Sequence, residues 1–161
     1  MDDMSTDDTC YQLIQVRPLS SAVGAEISGV DLADCDTPTF SEIHQAFLDH
    51  HVIFFRDQDL SLESHKAFGR RFGTLNVHPQ YVPLDGHPEI LPIVKEADAE
   101  HNIGGVWHSD ITFLERPALG SILYAIDVPD SGGDTLFANQ ERYEKTGDLQ
   151  GLLHTVCPYD Y

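Results

Sequence analysis
One stretch of this 161-residue chain constrains its fold more than any other: a strand, a turn and a second strand between positions 121 and 138. In Ser121–Val128 (SILYAIDV), Ile122, Tyr124, Ile126 and Val128 fall on one face and Leu123 and Ala125 on the other. Residues 129–133 (PDSGG) supply a turn signal, and Asp134–Ala138 (DTLFA) reads as the returning strand of a hairpin. A chain organised around such a pair is mostly β.

The rest of the pattern agrees. Tyr11–Val16 and Gly24–Leu32 alternate apolar and polar residues as half-buried strands do. Thr37 as N-cap and Pro38 at the first helical position start a helix with the stripe Phe40, Ile43, Phe47 and Leu48, ending near His50. Val52–Phe55 (VIFF) reads as a strand buried on both faces. Ser61 caps a second helix with the stripe Leu62, His65, Phe68 and Phe72, closed by Gly73. Thr74–Val77 and Glu89–Val94 are strand-like, residues 95–105 form an exposed loop, and the chain turns helical from Asn139 to about Leu153. Residues 1–10 read as a disordered acidic tail and 11–161 as one mostly β domain with flanking helices.

Composition narrows the partners. Nine Lys and Arg against 27 Asp and Glu leave a net charge of −18, a field that repels nucleic acid and anionic membrane. Cys10, Cys35 and Cys157 are odd in number and widely spaced, which suggests neither a disulfide framework nor a zinc ribbon. The first ten residues carry four Asp where a secretory signal needs positive charge, and no apolar run approaches the roughly 18 residues of a membrane span. The expected location is cytoplasmic.

Nine histidines invite a search for metal ligands, and the simplest motif, His-x-Asp, occurs once, at His108-Ser109-Asp110. Random order of these residues gives about one such pair, so the spacing alone decides nothing. On a strand, positions i and i+2 point the same way, so this imidazole and carboxylate can converge on one ion. Two His and one carboxylate on one face of the metal is the ligand set of non-heme Fe(II) oxygenases. A surface His and Asp flanking a packed Trp107 is the competing reading.

The surrounding sequence favours the metal. The run from Trp107 to Gln140, WHSDITFLERPALGSILYAIDVPDSGGDTLFANQ, resembles the signature of the 2-oxoglutarate-dependent non-heme iron dioxygenases related to taurine dioxygenase and the chlorophenoxyacetate dioxygenases. Upstream, GAEISGVDL, VIFFRDQ and RRFGTLNVHP match the same family in order and spacing, so the resemblance runs from about Tyr11 onward. It implies a double-stranded β-helix, the jelly roll of the clavaminate-synthase-like type, here incomplete at the C-terminus. It also implies an oxidoreductase that uses Fe(II), 2-oxoglutarate and O₂ to hydroxylate a small organic acid of sulfonate or carboxylate type, releasing succinate and CO₂.

By matching position, the resemblance makes His108 and Asp110 the first two iron ligands. Thr135 becomes the hydroxyl that bonds a 2-oxoglutarate carboxylate, and His78 and Tyr81 become substrate contacts. Gly104 stands where the taurine enzyme has a substrate-contacting Asn, which argues against taurine itself. The family also needs a distal His and a later Arg. Only His154 follows Asp110, in a context (QGLLHTVCPYDY) that reads as helix and loop, and no Arg follows Arg142. The chain alone is therefore expected to be inactive or nearly so. An inactive binding module, one half of a split enzyme, and a homo-oligomer or missing C-terminal half remain as alternatives. His44, His50, His51, His65, His87 and His101 read as solvated or packed, Lys66, Arg70 and Arg71 as a solvated helix face, and Arg116 as a loop residue.

Overall fold
The computed structural model describes residues 11–95, 106–110, 112–129, 131–132 and 134–140, together with the backbone of Leu153–Val156. The expected acidic tail, Cys10, His101, Gly104, Cys157 and nearly all of the expected last helix lie outside the described residues. The chain divides into two units, residues 1–59 with 125–161, and residues 60–124.

The first unit is built on a three-stranded sheet ordered β1-β2-β3. Strands β1 (Gln15–Pro18) and β2 (Ala25–Ser28) pair antiparallel, with Val16 opposite Ile27 and Arg17 opposite Glu26. Ser20 shapes their connection: its hydroxyl accepts the N–H groups of Ala22 and Val23 and donates to the Val23 carbonyl at 2.6 Å. Alternation then divides the faces. Ala25 and Ile27 are 0% and 1% exposed, while Glu26 on the other face takes Arg17 at 3.0 Å and Arg56 at 3.1 Å. Those two guanidinium groups, Arg56 first, hold the Glu26 carboxyl below its ordinary value.

Helix α1 (Thr37–His50) connects β2 to the parallel strand β3 (Ile53–Phe55), the crossover that a parallel pair demands. Asp36, one residue before the expected cap, accepts the Thr39 N–H at 2.9 Å, so Thr37 and Pro38 fill the first turn. The buried stripe is Ile43 and Ala46, with Phe40 and Phe47 half-buried; Leu48 lies off it, 49% exposed. The helix stops at His51, whose φ of 65° is the left-handed value more often given to glycine, while its N–H still reaches the Phe47 carbonyl. Fully burying Ile27 and Ile43 contributes roughly 2 kcal/mol each.

Strand β4 (Thr135–Ala138) pairs antiparallel with β5 (Leu153–Val156), placing Phe137 opposite His154. Phe137 meets Phe54 edge-on at 6.4 Å, and the Asn139 amide donates to the Ala22 carbonyl. The second unit contains α2 (Leu62–Arg70), capped by Ser61, which accepts the Ser64 N–H at 3.1 Å. Gly69 is buried where an added Cβ would stand 3.0 Å from the end of the Leu75 side chain, so a larger residue would push that side chain aside by a few tenths of an ångström. Among the described residues no helix is long and apolar enough to cross a membrane.

Several expectations need correction. The described residues form a small mixed sheet, a two-stranded ladder and a few helices. The first strand lies at Gln15–Pro18, C-terminal to most of Tyr11–Val16, because Gln12, Leu13 and Ile14 give their N–H groups to the Glu42 carboxylate instead of a ladder. Strand β3 is only half-buried, at the edge of the three-stranded sheet, where burial on both faces was expected. Helix α2 ends at Arg70, so Phe72 lies beyond it. Thr74–Val77, Glu89–Val94 and Ser121–Val128 are not strands, and β4 takes β5, not 121–128, as its partner. Leu153 and His154, expected in helix and loop, lie on β5.

Candidate metal centre
His108 and Asp110 lie on an exposed non-strand segment, 106–110, of the second unit. The i, i+2 alternation of a strand therefore does not bring them together. A backbone bond does: His108 Nδ1 donates to the Val106 carbonyl at 2.7 Å, since a carbonyl oxygen can only accept. That bond fixes the ring and its tautomer, leaving Nε2 with a bare lone pair in the neutral form. Nε2 faces Asp110 Oδ1 at 3.3 Å, with the two side chains 51% and 67% exposed.

Two lone pairs aimed at one another at this distance repel unless a proton or a cation lies between them. The donor set, one imidazole nitrogen and one carboxylate oxygen with a carbonyl behind the ring, suits a divalent transition metal of borderline hardness. His108 and Asp110 thus fit two positions of an iron site. Among the described residues no group of three His, Cys, Asp or Glu side chains comes together. Trp107, expected to pack, is 60% exposed beside them.

The remaining site candidates lie on other segments of the chain. His78 and Tyr81 are brought together in the second unit, ring centroids 4.7 Å apart and edge to face. His78 Nδ1 accepts the Gln80 N–H at 3.2 Å, so the neutral ring carries its proton on Nε2 as a hydrogen-bond donor. Thr135 opens β4 in the first unit and is exposed. His154 lies opposite Phe137 in the β4–β5 register.

Three side chains do more than the sequence suggested. His65, half-buried, reaches the Ile122 carbonyl at 3.2 Å, and the Tyr124 hydroxyl accepts the Leu60 N–H at 3.3 Å, so residues 122–124 are tied to the start of α2 by side chains, not by a ladder. Lys66 is buried, 8% exposed, and not part of a solvated face. Its partner Glu63, at 2.7 Å and three residues earlier, was the one signal in the sequence.

Known proteins add the wider context. The family model described as taurine catabolism dioxygenase TauD, TfdA family matches residues 15–145. An alkylsulfatase of Acinetobacter baylyi is 39% identical over 145 residues, a match covering 88% of this chain and 44% of that protein. An alpha-ketoglutarate-dependent sulfate ester dioxygenase of Pseudomonas putida is 36% identical over 155 residues, covering 92% and 50%. The crystal structure of a taurine dioxygenase from Burkholderia xenovorans superposes with a TM-score of 0.70 at 39% identity, over 84% of this chain and 49% of that one. The chain spans about half the length of these relatives.

Proposed function
The chain belongs to the TauD, TfdA dioxygenase family, and from that premise we propose that it carries the first part of the iron site of a 2-oxoglutarate-dependent dioxygenase acting on small organic acids, sulfate esters foremost. One observation carries the reading: the bond from His108 Nδ1 to Val106 that turns Nε2 toward Asp110. The bond leaves the free lone pair of Nε2 and the Asp110 carboxylate positioned to hold one cation together.

Fe(II) would supply the chemistry of O₂, consuming 2-oxoglutarate and O₂ to give succinate, CO₂ and a hydroxyl in place of a substrate hydrogen. His108 and Asp110 would hold the metal. Thr135 would bond a carboxylate of 2-oxoglutarate through its hydroxyl, and His78, a neutral donor at Nε2 supported by the Tyr81 ring, would meet an anionic oxygen of the substrate.

Sulfate esters are favoured because two relatives bear names of that class, one a sulfatase and one a dioxygenase. A single oxidation reconciles the two names: a hydroxyl placed on the ester carbon leaves a hemiacetal-like carbon whose C–O bond to sulfate breaks, giving an aldehyde and free sulfate. The complete enzyme would close a double-stranded β-helix, contribute the distal His and the Arg that 2-oxoglutarate requires, and work in the cytoplasm. This chain alone would be nearly inactive, because a cation held by one imidazole and one carboxylate keeps water in its other positions.

Anaerobic titration with Fe(II) and 2-oxoglutarate, followed through the visible charge-transfer band, tests the proposal. A weak band that His108→Ala removes is expected, with little succinate formed on admitting O₂. Equal Fe(II) affinity in the chain and in His108→Ala would overturn it.

A further inference from the structure
The charged cluster on α2 has no part in that chemistry, yet it is better buried than the metal pair. The Lys66 ammonium meets Glu63 Oε1 at 2.7 Å and His87 Nδ1 at 3.0 Å, and the same Glu63 oxygen lies 3.6 Å from His87 Nδ1. One turn further along the same helix face, Arg70 reaches Glu89 at 3.4 Å. Residues 84–90, which carry both loop partners, close on themselves through three backbone bonds. Leu84 N–H donates to the Ile90 carbonyl, His87 N–H to the Leu84 carbonyl and Ile90 N–H to the His87 carbonyl, at 2.8, 2.9 and 3.0 Å. The loop is thus a preformed piece held to α2 at two points.

An ammonium can only donate, so His87 Nδ1 must accept, and the ring is neutral with its proton on Nε2. We propose that loop 84–90 is latched to α2 at its His87 end by the neutral ring and loosened there when that ring gains a proton, leaving the Arg70–Glu89 tie in place.

Protonation at Nδ1 replaces the acceptor with a donor and sets a second cation 3.0 Å from the first. Both cations then compete for Glu63. That carboxyl is held below its ordinary value, chiefly by the Lys66 hydrogen bond, so it stays a single negative charge across the range in which imidazole titrates. Of the loop's own acids, Asp85 and Glu89, the second is engaged by Arg70. Lys66 and His87, with side chains 9% and 24% exposed, meet with less screening water than a surface pair, while Glu63 at 70% stays open to solvent.

The latch stands on this geometry alone. Its effect on substrate, by contrast, rests on the function proposed above, because the loop follows His78 and Tyr81 directly in the chain.

Amide hydrogen exchange on the 161-residue chain, corrected for the intrinsic effect of pH, tests the latch. Protection of Leu84, His87 and Ile90 should fall about tenfold between about pH 8 and about pH 5.5. In His87→Gln, whose side-chain oxygen accepts the same ammonium proton but cannot be protonated, protection should not change. Lys66→Met should leave the loop loose at both pH values. A wild-type loop indifferent to pH, a His87→Gln loop that loosens as far as the wild type, or a Lys66→Met loop as protected as the wild type overturns the proposal. Helix signal in far-UV circular dichroism should hold at the lower pH, and its parallel loss would reassign the change to general unfolding. Binding of an alkyl sulfate ester, measured separately, reports on the substrate reading and leaves the latch unaffected if it fails.

Discussion
The two units divide the labour unequally. Among the described residues, those of 1–59 with 125–161 hold most of the buried apolar side chains, including Ile14, Ala25, Ile27, Ile43 and Ala46, while those of 60–124 contribute Phe68. In the second unit Trp107, Phe113, Leu119 and Leu123 are instead between 60% and 77% exposed. The first unit is ordered by ladders and a packed helix; in the second, outside α2 and the self-closed loop 84–90, single side-chain bonds fix one segment at a time: His108 to Val106, His65 to Ile122, Lys66 to His87. Chemistry placed on segments of the second kind can be repositioned at little cost, whereas the first kind unfolds only as a whole.

The contrast can be broken by substitution. The largest effect is expected at Ile43, 0% exposed: Ile43→Ala should cost about 2–5 kcal/mol in chemical denaturation. A loss under about 1 kcal/mol would mean that the first unit is no better packed than the second.

A smaller effect, and one tied to pH, belongs to Glu42. Its carboxylate accepts the N–H groups of Gln12, Leu13 and Ile14, and these bonds, the Gln12 bond first, hold its carboxyl below the ordinary value of 4.5. A lowered folded value means that the stabilisation is complete above about 4.5 and fades as pH falls through the lower value. Melting temperature followed from neutral pH into acid should drop in the wild type over that window, and Glu42→Gln should start lower and lack that part of the drop. Parallel curves would remove Glu42 from the account.

The smallest effect on stability should come from the metal pair itself. His108→Ala and Asp110→Asn change exposed side chains and should stay within about 0.5 kcal/mol of the wild type in the same denaturation, even as Fe(II) binding is lost. A large loss would mean that the pair serves the fold first.

How much of this was legible depended on whether the cause was local. Both helices were readable because their signals lie within a few residues: Pro38 in the first turn of α1, Ser61 capping α2, and Ile43 on the buried stripe. The Ser121–Val128 strand failed for the opposite reason. Alternation shows which faces a segment can bury but not whether a partner strand stands beside it, and Ile126 is 89% exposed. His108 and Asp110 face one another at 3.3 Å, but strand alternation is not the cause, since no strand carries them and a carbonyl two residues back orients the ring. Lys66 looked like a surface charge because its second partner, His87, lies 21 positions away.

The parallel pairing of β2 with β3 also sets an order of events. The hairpin of β1 and β2 closes over a short connection, on a scale of about 1–10 μs for such elements, and α1 can form from its own residues. Ile53–Phe55 cannot join Ala25–Ile27 until the whole of α1 separates them in the right length. On a ribosome the outer edge of β2 therefore waits, unpaired, until Phe55 has been made and released, and that interval is when this chain is most open to pairing with the wrong strand.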